Sequence, residues 1–281
     1  MIPTAFEYQR ATSIDEAIAK LKGGGKILAG GHSLVPLMKL RLSEPGLLID
    51  IARIPGLAGI RENGGKIEIG AATVHHDVAT SQLLRDKSPF VAEAASDIGD
   101  QQVRNRGTLG GSLAHSDPAA DYPAVMLALD ADVQVKGPNG ARTVKASEFF
   151  QGLFTVDLGS DEIITGVQFA PVTTAAYAKL HQRASHFAIV GVAAALNVKG
   201  GTIRSARVGL TGASTHAMRL SKVEAALAGK PLSKATIEAA AKDAGSEIAD
   251  VNSDIHASAD YRRAMIPVFT RRALEGAMAR A

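Results

Sequence analysis

Apolar and polar positions along the chain fall into two regimes that change near residue 171. Ile14, Ala17, Ile18 and Leu21 form a helical stripe, opened by a capping box of Ser13 and Glu16 and stopped by Gly23-Gly24-Gly25. Residues 26–29 and 47–51 read as short buried strands. Residues 66–69 alternate like a strand after a turn at Gly64-Gly65. Residues 73–84 and 88–98 read as helices, the second with Ser88 as cap and Pro89 in its first turn. Asp117-Pro118 repeats that start signal and predicts a helix through Leu129. Residues 133–136 and 142–144 flank Asn139-Gly140 as a hairpin, and residues 162–169 form a further strand closed by Pro171.

Beyond Pro171 come three long strand-like runs, at 177–183, 188–198 and 202–211. Helical patterns follow at 218–228, 233–248 and 258–279. Strands followed by helices predict an antiparallel sheet backed by helices. The expected fold is α+β, with a first domain over residues 1–171 (parts at about 1–56 and 57–171) and a second over 172–281.

Composition narrows the function. The 281 residues suit two domains of ~150 each, and 46% hydrophobic with 21% charged residues excludes a disordered chain. The 31 basic against 28 acidic residues create no field that gathers nucleic acid, and the absence of Trp removes stacking platforms for bases. No cysteine is present, which excludes disulfides, thiolate zinc sites, cysteine nucleophiles and thiolate-held iron–sulfur clusters on this chain. The longest apolar run, residues 187–196, is half of the ~20 that a membrane span needs, so no transmembrane segment is expected. Without a signal-peptide pattern, the expected location is the cytoplasm.

Two glycine loops carry the candidate chemistry: Ala29-Gly30-Gly31-His32-Ser33-Leu34 and Gly107-Thr108-Leu109-Gly110-Gly111-Ser112. Glycine permits positive φ and lets a ligand approach the backbone. Consecutive free N–H groups then form a nest for an anion such as a phosphate. Arg104 and Arg106 precede the second loop, while His115, Asp117 and Asp121 follow it. Asp117 and Asp121 are spaced to share a helix face, with Asp117 read as a helix cap. Other motifs fail: neither a P-loop, a G-x-G-x-x-G after a strand nor a G-x-S-x-G is present. His75-His76 diverge on a helix and read as surface residues, and His181 and His186 are expected on opposite faces of a strand. No metal site and no catalytic residue is assigned.

Residues 29–41, AGGHSLVPLMKLR, and residues 101–121, QQVRNRGTLGGSLAHSDPAAD, resemble the two flavin loops of the medium, FAD-binding subunits of molybdenum hydroxylases. That family includes xanthine dehydrogenase and aerobic carbon monoxide dehydrogenase, and the resemblance runs the length of the chain. It implies a two-part FAD-binding domain of the vanillyl-alcohol-oxidase (PCMH) type, followed by a small α+β C-terminal domain. It also implies FAD as cofactor. Ala29, the amides of Gly30, Gly31, His32, Ser33 and Leu34, and those of Thr108, Leu109, Gly110, Gly111 and Ser112 would hold the diphosphate and neighbouring groups. Asp121 would take a sugar or ribityl hydroxyl, His115 would contact the cofactor, and Ile164 and Lys179 would lie near the flavin ring.

The resemblance further implies partners: a large molybdopterin-binding subunit and a small [2Fe–2S] subunit, assembled as a dimer of heterotrimers. The chain would pass electrons from those clusters through FAD to an external acceptor, as in carbon monoxide dehydrogenase. Ser112 stands where some relatives carry Asn, and His186 where many carry Asp. Two other readings stay open: an autonomous FAD-dependent oxidase or dehydrogenase of the same fold, and a non-catalytic assembly subunit.

Overall fold

The computed structural model describes residues 2–281. Its N-terminal part runs β1 (Glu7–Arg10), α1 (Ile14–Leu21), β2 (Lys26–Leu28), α2 (Leu34–Lys39) and β3 (Leu47–Asp50). These strands form a three-stranded parallel sheet in the order β1-β3-β2. Next come β4 (Ile60–Asn63), β5 (Lys66–Gly70), α3 (His75–Thr80), α4 (Gln82–Lys87), α5 (Pro89–Ser96), α6 (Gln101–Arg104), α7 (Leu109–His115) and α8 (Asp121–Leu129). Then follow β6 (Asp132–Gly137), β7 (Gly140–Lys145), α9 (Ala146–Phe149), the hairpin strands β8 (Phe150–Gly152) and β9 (Thr155–Val156), and β10 (Ile163–Phe169). An antiparallel sheet β4-β5-β10-β6-β7 gathers the longer of these strands. The C-terminal part is an antiparallel sheet of β11 (Ala175–His181), β12 (Ala188–Lys199), β13 (Thr202–Thr211) and β14 (Met218–Arg219), with α10 (Ser221–Leu227), α11 (Lys234–Ala241) and α12 (Ala259–Met278). No helix among the described residues is long and apolar enough to cross a membrane.

The expected α+β layering is observed, and the run that reads as continuously apolar explains it. On β12, Ala193 and Ala195 face the N-terminal core, while Val190, Val192, Ala194 and Leu196 face α12 and its neighbours. A strand buried on both faces loses its polar alternation. Helix α8 supports one side of this sheet and is buried along its whole length. A helix apolar all round belongs inside a core. Its approach to β13 is so close that a Cβ on Gly209 would collide with the Ala124 carbonyl.

Several predicted boundaries move, each for a local reason. Ser13 caps α1 through the Glu16 amide, but the Glu16 carboxylate returns to the amide and hydroxyl of Thr12, not to Ser13. The helix expected over 73–84 breaks at Ser81, whose extended backbone ends α3 and whose hydroxyl caps α4. Ser88 does not cap α5; its hydroxyl donates to the Lys87 carbonyl and accepts from the Val172 amide, tying the link between the two halves. Asp117 closes a turn onto the Ala119 amide (2.8 Å), so α8 starts at Asp121 instead of at Asp117-Pro118. Asp117 and Asp121 therefore share no helix face. The β6–β7 loop is Pro138-Asn139, with Gly140 already in β7 at φ 109°. Met218 and Arg219 pair with β13 before α10 begins. The polar edge strands β1 and β4 have no hydrophobic alternation to announce them.

His75 is a larger correction. It is not a surface residue: only 5% of it is exposed, and its ring packs edge-on against buried Tyr122 at 5.3 Å. Its amide donates to the Gly107 carbonyl (2.9 Å), and a Cβ on Gly107 would sit 2.5 Å from its Nε2. His75 thus forms the floor on which the second glycine loop rests. Burial pulls its pKa down from 6.5 to about 4, with His32 and Arg104 nearby adding to the effect. The folded pKa lies below the ordinary value, so the unfolded chain binds this proton more readily. Stability from His75 is complete above pH 6.5 and falls as pH drops toward 4.

Two outcomes are expected. Between pH 7 and pH 5 the wild type loses about 2 kcal/mol more unfolding free energy than His75→Gln, measured by urea denaturation at both pH values. Gly209→Ala lowers stability by about 1–3 kcal/mol, seen as a lower urea midpoint, because the backbone of α8 cannot retreat from the added methyl.

Candidate functional site

The first glycine loop turns directly out of β2. Gly31 adopts φ 78°, and the Val35 and Leu37 amides close the turn onto the carbonyls of Gly31 and Ser33. The amides of Gly30, Gly31, His32, Ser33 and Leu34 donate to no acceptor in the protein among the described residues. Five consecutive unpartnered N–H groups make the nest that the sequence predicts.

The second loop is built differently. The Thr108 hydroxyl caps α7 through the Gly111 amide (3.1 Å), and the Thr108 carbonyl takes the Ser112 amide (3.0 Å). The Leu109 amide donates to the Thr73 carbonyl and the Gly110 amide to the Ala71 carbonyl. Leu109 and Gly110 are therefore anchors, not donors to a ligand. Leu109 is fully buried, and a Cβ on Gly110 would lie 2.5 Å from that of Ala71. Among the described residues only the Thr108 amide of this loop donates to no protein acceptor, and Thr108 lines the cleft. The two loops touch backbone to backbone, since a Cβ on Gly30 would collide with the Arg106 carbonyl and crowd the Gly107 Cα.

Both loops open onto one cleft of about 1030 Å³. Ala29, Gly30, Gly31, His32, Ser33, Leu34, Thr108, Gly111, Ser112, His115 and Asp121 line it. At the upper end of the range for small-ligand sites, this volume suits a dinucleotide. Ile164 does not line it; it is buried in β10, opposite Val135. Lys179 is also behind the wall. Its ammonium is wholly buried and reaches both oxygens of Asp121 (2.9 and 3.0 Å) and the Asp97 carbonyl (2.9 Å). The Tyr177 hydroxyl donates to Asp121 Oδ1 at 2.5 Å. Burial raises the Asp121 carboxyl above its usual range, against the pull of Lys179 and Tyr177. Of about four acceptor positions on a carboxylate, this network leaves one for a ligand hydroxyl.

Arg104 is structural, donating to the carbonyls of Ile98 and Gly99. His181 and His186 do not lie on opposite strand faces. His186 sits in the loop after β11 at φ 61°, and the two rings meet perpendicularly at 5.9 Å. His181 Nε2 lies 2.7 Å from an Asp97 carboxylate oxygen. Sequence reasoning did not single out other parts of the cleft wall, among them Ile98 and Gly99, Phe154 to Val156, Leu158 to Ser160, Glu162 and Phe187.

The chain matches two family models in succession. Residues 4–172 match the FAD binding domain in molybdopterin dehydrogenase, and residues 175–277 match the CO dehydrogenase flavoprotein C-terminal domain. It is 42% identical to the carbon monoxide dehydrogenase medium chain of Hydrogenophaga pseudoflava, over 100% of this chain and 99% of that one. It is 36% identical to the glyceraldehyde dehydrogenase medium chain of Sulfolobus acidocaldarius, covering 98% and 99%. Its structure superposes with a TM-score of 0.96, covering 100% of both chains, on a 43% identical chain of the carbon monoxide dehydrogenase of H. pseudoflava that lacks the Mo-pyranopterin moiety of its cofactor. With both halves matched and the anion nest in place, the chain belongs to the FAD-binding flavoprotein subunits of the molybdopterin dehydrogenase family.

Proposed function

We propose that this chain is the medium subunit of a molybdenum hydroxylase of the carbon monoxide dehydrogenase type. In this reading it takes electrons from [2Fe–2S] clusters of a small partner and delivers them to an external acceptor. The single observation that carries the reading is the row of free amides from Gly30 to Leu34 on a cleft of dinucleotide size, in a chain aligned end to end with medium chains. A large molybdopterin-binding subunit completes the complex, assembled as a dimer of heterotrimers in the cytoplasm. The cysteine-free sequence agrees, because the clusters must then be held elsewhere. The boundary near residue 171 separates the FAD-binding part from the flavoprotein C-terminal part.

When bound, FAD supplies the redox chemistry, exchanging electrons singly with clusters and singly or in pairs with an acceptor. The chain's own groups bind and orient it. The amides of Gly30 to Leu34 and of Thr108 would hold the diphosphate, with Ser112 beside it in the first turns of α7 and His115 lining the cleft at the far end of that helix. Asp121 accepts a sugar or ribityl hydroxyl at its one remaining position, while Lys179 and Tyr177 keep its carboxylate oriented. Lys179, buried behind Asp121, would set a positive field at that end of the cleft, and Ile164 would act only through the packing of β10 on α7.

Gly31→Val forces a β-branched residue into φ 78° and toward Val35. Its FAD affinity is expected to fall at least about a hundredfold, read by flavin absorbance of the purified chain after titration. Unchanged occupancy would refute the loop assignment. Lys179→Met leaves Asp121 buried without its counter-charge and is expected to cost about 3–5 kcal/mol of stability, measured by urea unfolding. Co-expression with molybdopterin and iron–sulfur subunits, followed by purification on this chain, tests the partners: a stable three-subunit complex is expected.

A further inference from the structure

We infer that Phe154 is the stacking platform for the adenine of the bound dinucleotide, an inference that rests on the FAD reading above. Phe154 occupies the tip of the β8–β9 hairpin at φ 51°, a backbone region that favours glycine or asparagine. It fills no core there, for 51% of it is exposed. A bulky aromatic in a strained turn, half uncovered, is unexplained by folding, and it lines the cleft.

Its support points the same way. The His115 ring lies against Phe154, with centroids 5.0 Å apart and planes at 37°. His115 ends α7, the helix that Thr108 of the second loop caps. Seven helical residues span about 10 Å, the reach of a ribose and base beyond a diphosphate. With one ring face backed by His115, the opposite face is left to a ligand. Leu21, Ile27, Leu42, Val156 and Leu158 line the same cleft and make apolar surroundings for a planar base. The buried pair of Asp121 and Lys179 instead suits the ring that changes charge. Adenine and the redox ring are thereby assigned to different parts of the cleft.

The test titrates the full chain and its Phe154→Gly and Phe154→Tyr variants with FAD, ADP and FMN by calorimetry. Glycine removes the platform and relieves the positive φ, so the thermal midpoint of Phe154→Gly should not fall. Its affinity for FAD and for ADP should drop at least about fivefold, with FMN binding unchanged and Phe154→Tyr close to wild type. Three outcomes overturn the proposal: FAD and ADP bind Phe154→Gly as they bind the wild type; all three ligands weaken alike; or FMN weakens while ADP does not, which would place the flavin ring on Phe154. A wild-type chain that binds neither FAD nor ADP would instead overturn the FAD reading itself, and the platform with it.

Discussion

The architecture of the cleft depends on one backbone contact, the seating of Gly30 against Arg106 and Gly107. Any side chain at residue 30 would push the two loops apart. The contact joins a loop that leaves the parallel sheet to a loop that opens α7, so it ties that sheet to the helices that follow β5. The two sides have different duties. The first loop keeps its amides free, whereas the second engages Leu109 and Gly110 with the chain after β5 and is rigid before any ligand arrives. A nest held against a rigid wall is preorganised, and little ordering entropy opposes binding.

The C-terminal part is joined to this frame by packing and by one buried charge pair. Helix α8 lies against β12 and β13, and its first residue, Asp121, meets Lys179 and Tyr177 of β11. An ion pair in so dry a place contributes little net stability, but either partner alone would be costly. It fixes the register between the halves at the point where the cleft passes between them. Asp97 extends the same seam, taking Lys179 at its carbonyl and His181 at its carboxylate.

Much of the frame was legible in the residues. The α1 stripe, the long strands β12 and β13, the long helix α12 and both glycine loops lie where periodicity and punctuation place them. The misses have local causes. Ser88 and Asp117 both read as helix caps, but the Ser88 hydroxyl is taken by the distant Val172 amide and the Asp117 carboxylate by the Ala119 amide two residues on, while Ser81 caps a second helix inside a run that reads as one. His75 reads as polar and therefore exposed, yet its ring is the floor beneath Gly107. The roles of Leu109 and Gly110 were misjudged because a glycine that admits a ligand and a glycine that admits another backbone look identical in a sequence.

Local chemistry is what the sequence by itself determined: which segments bury a face, where the backbone can turn with positive φ, and that no thiolate chemistry resides here. The family is also written there, because two long loop motifs encode backbone conformations directly. Only tertiary structure decided which amides stay free, since that depends on carbonyls such as those of Ala71 and Thr73 arriving from distant strands and turns. It alone brought Asp121 to Lys179 across 58 residues, and Phe154 to His115. Such pairings arise from how the layers pack, and packing joins positions whose separation along the chain carries no periodic signal.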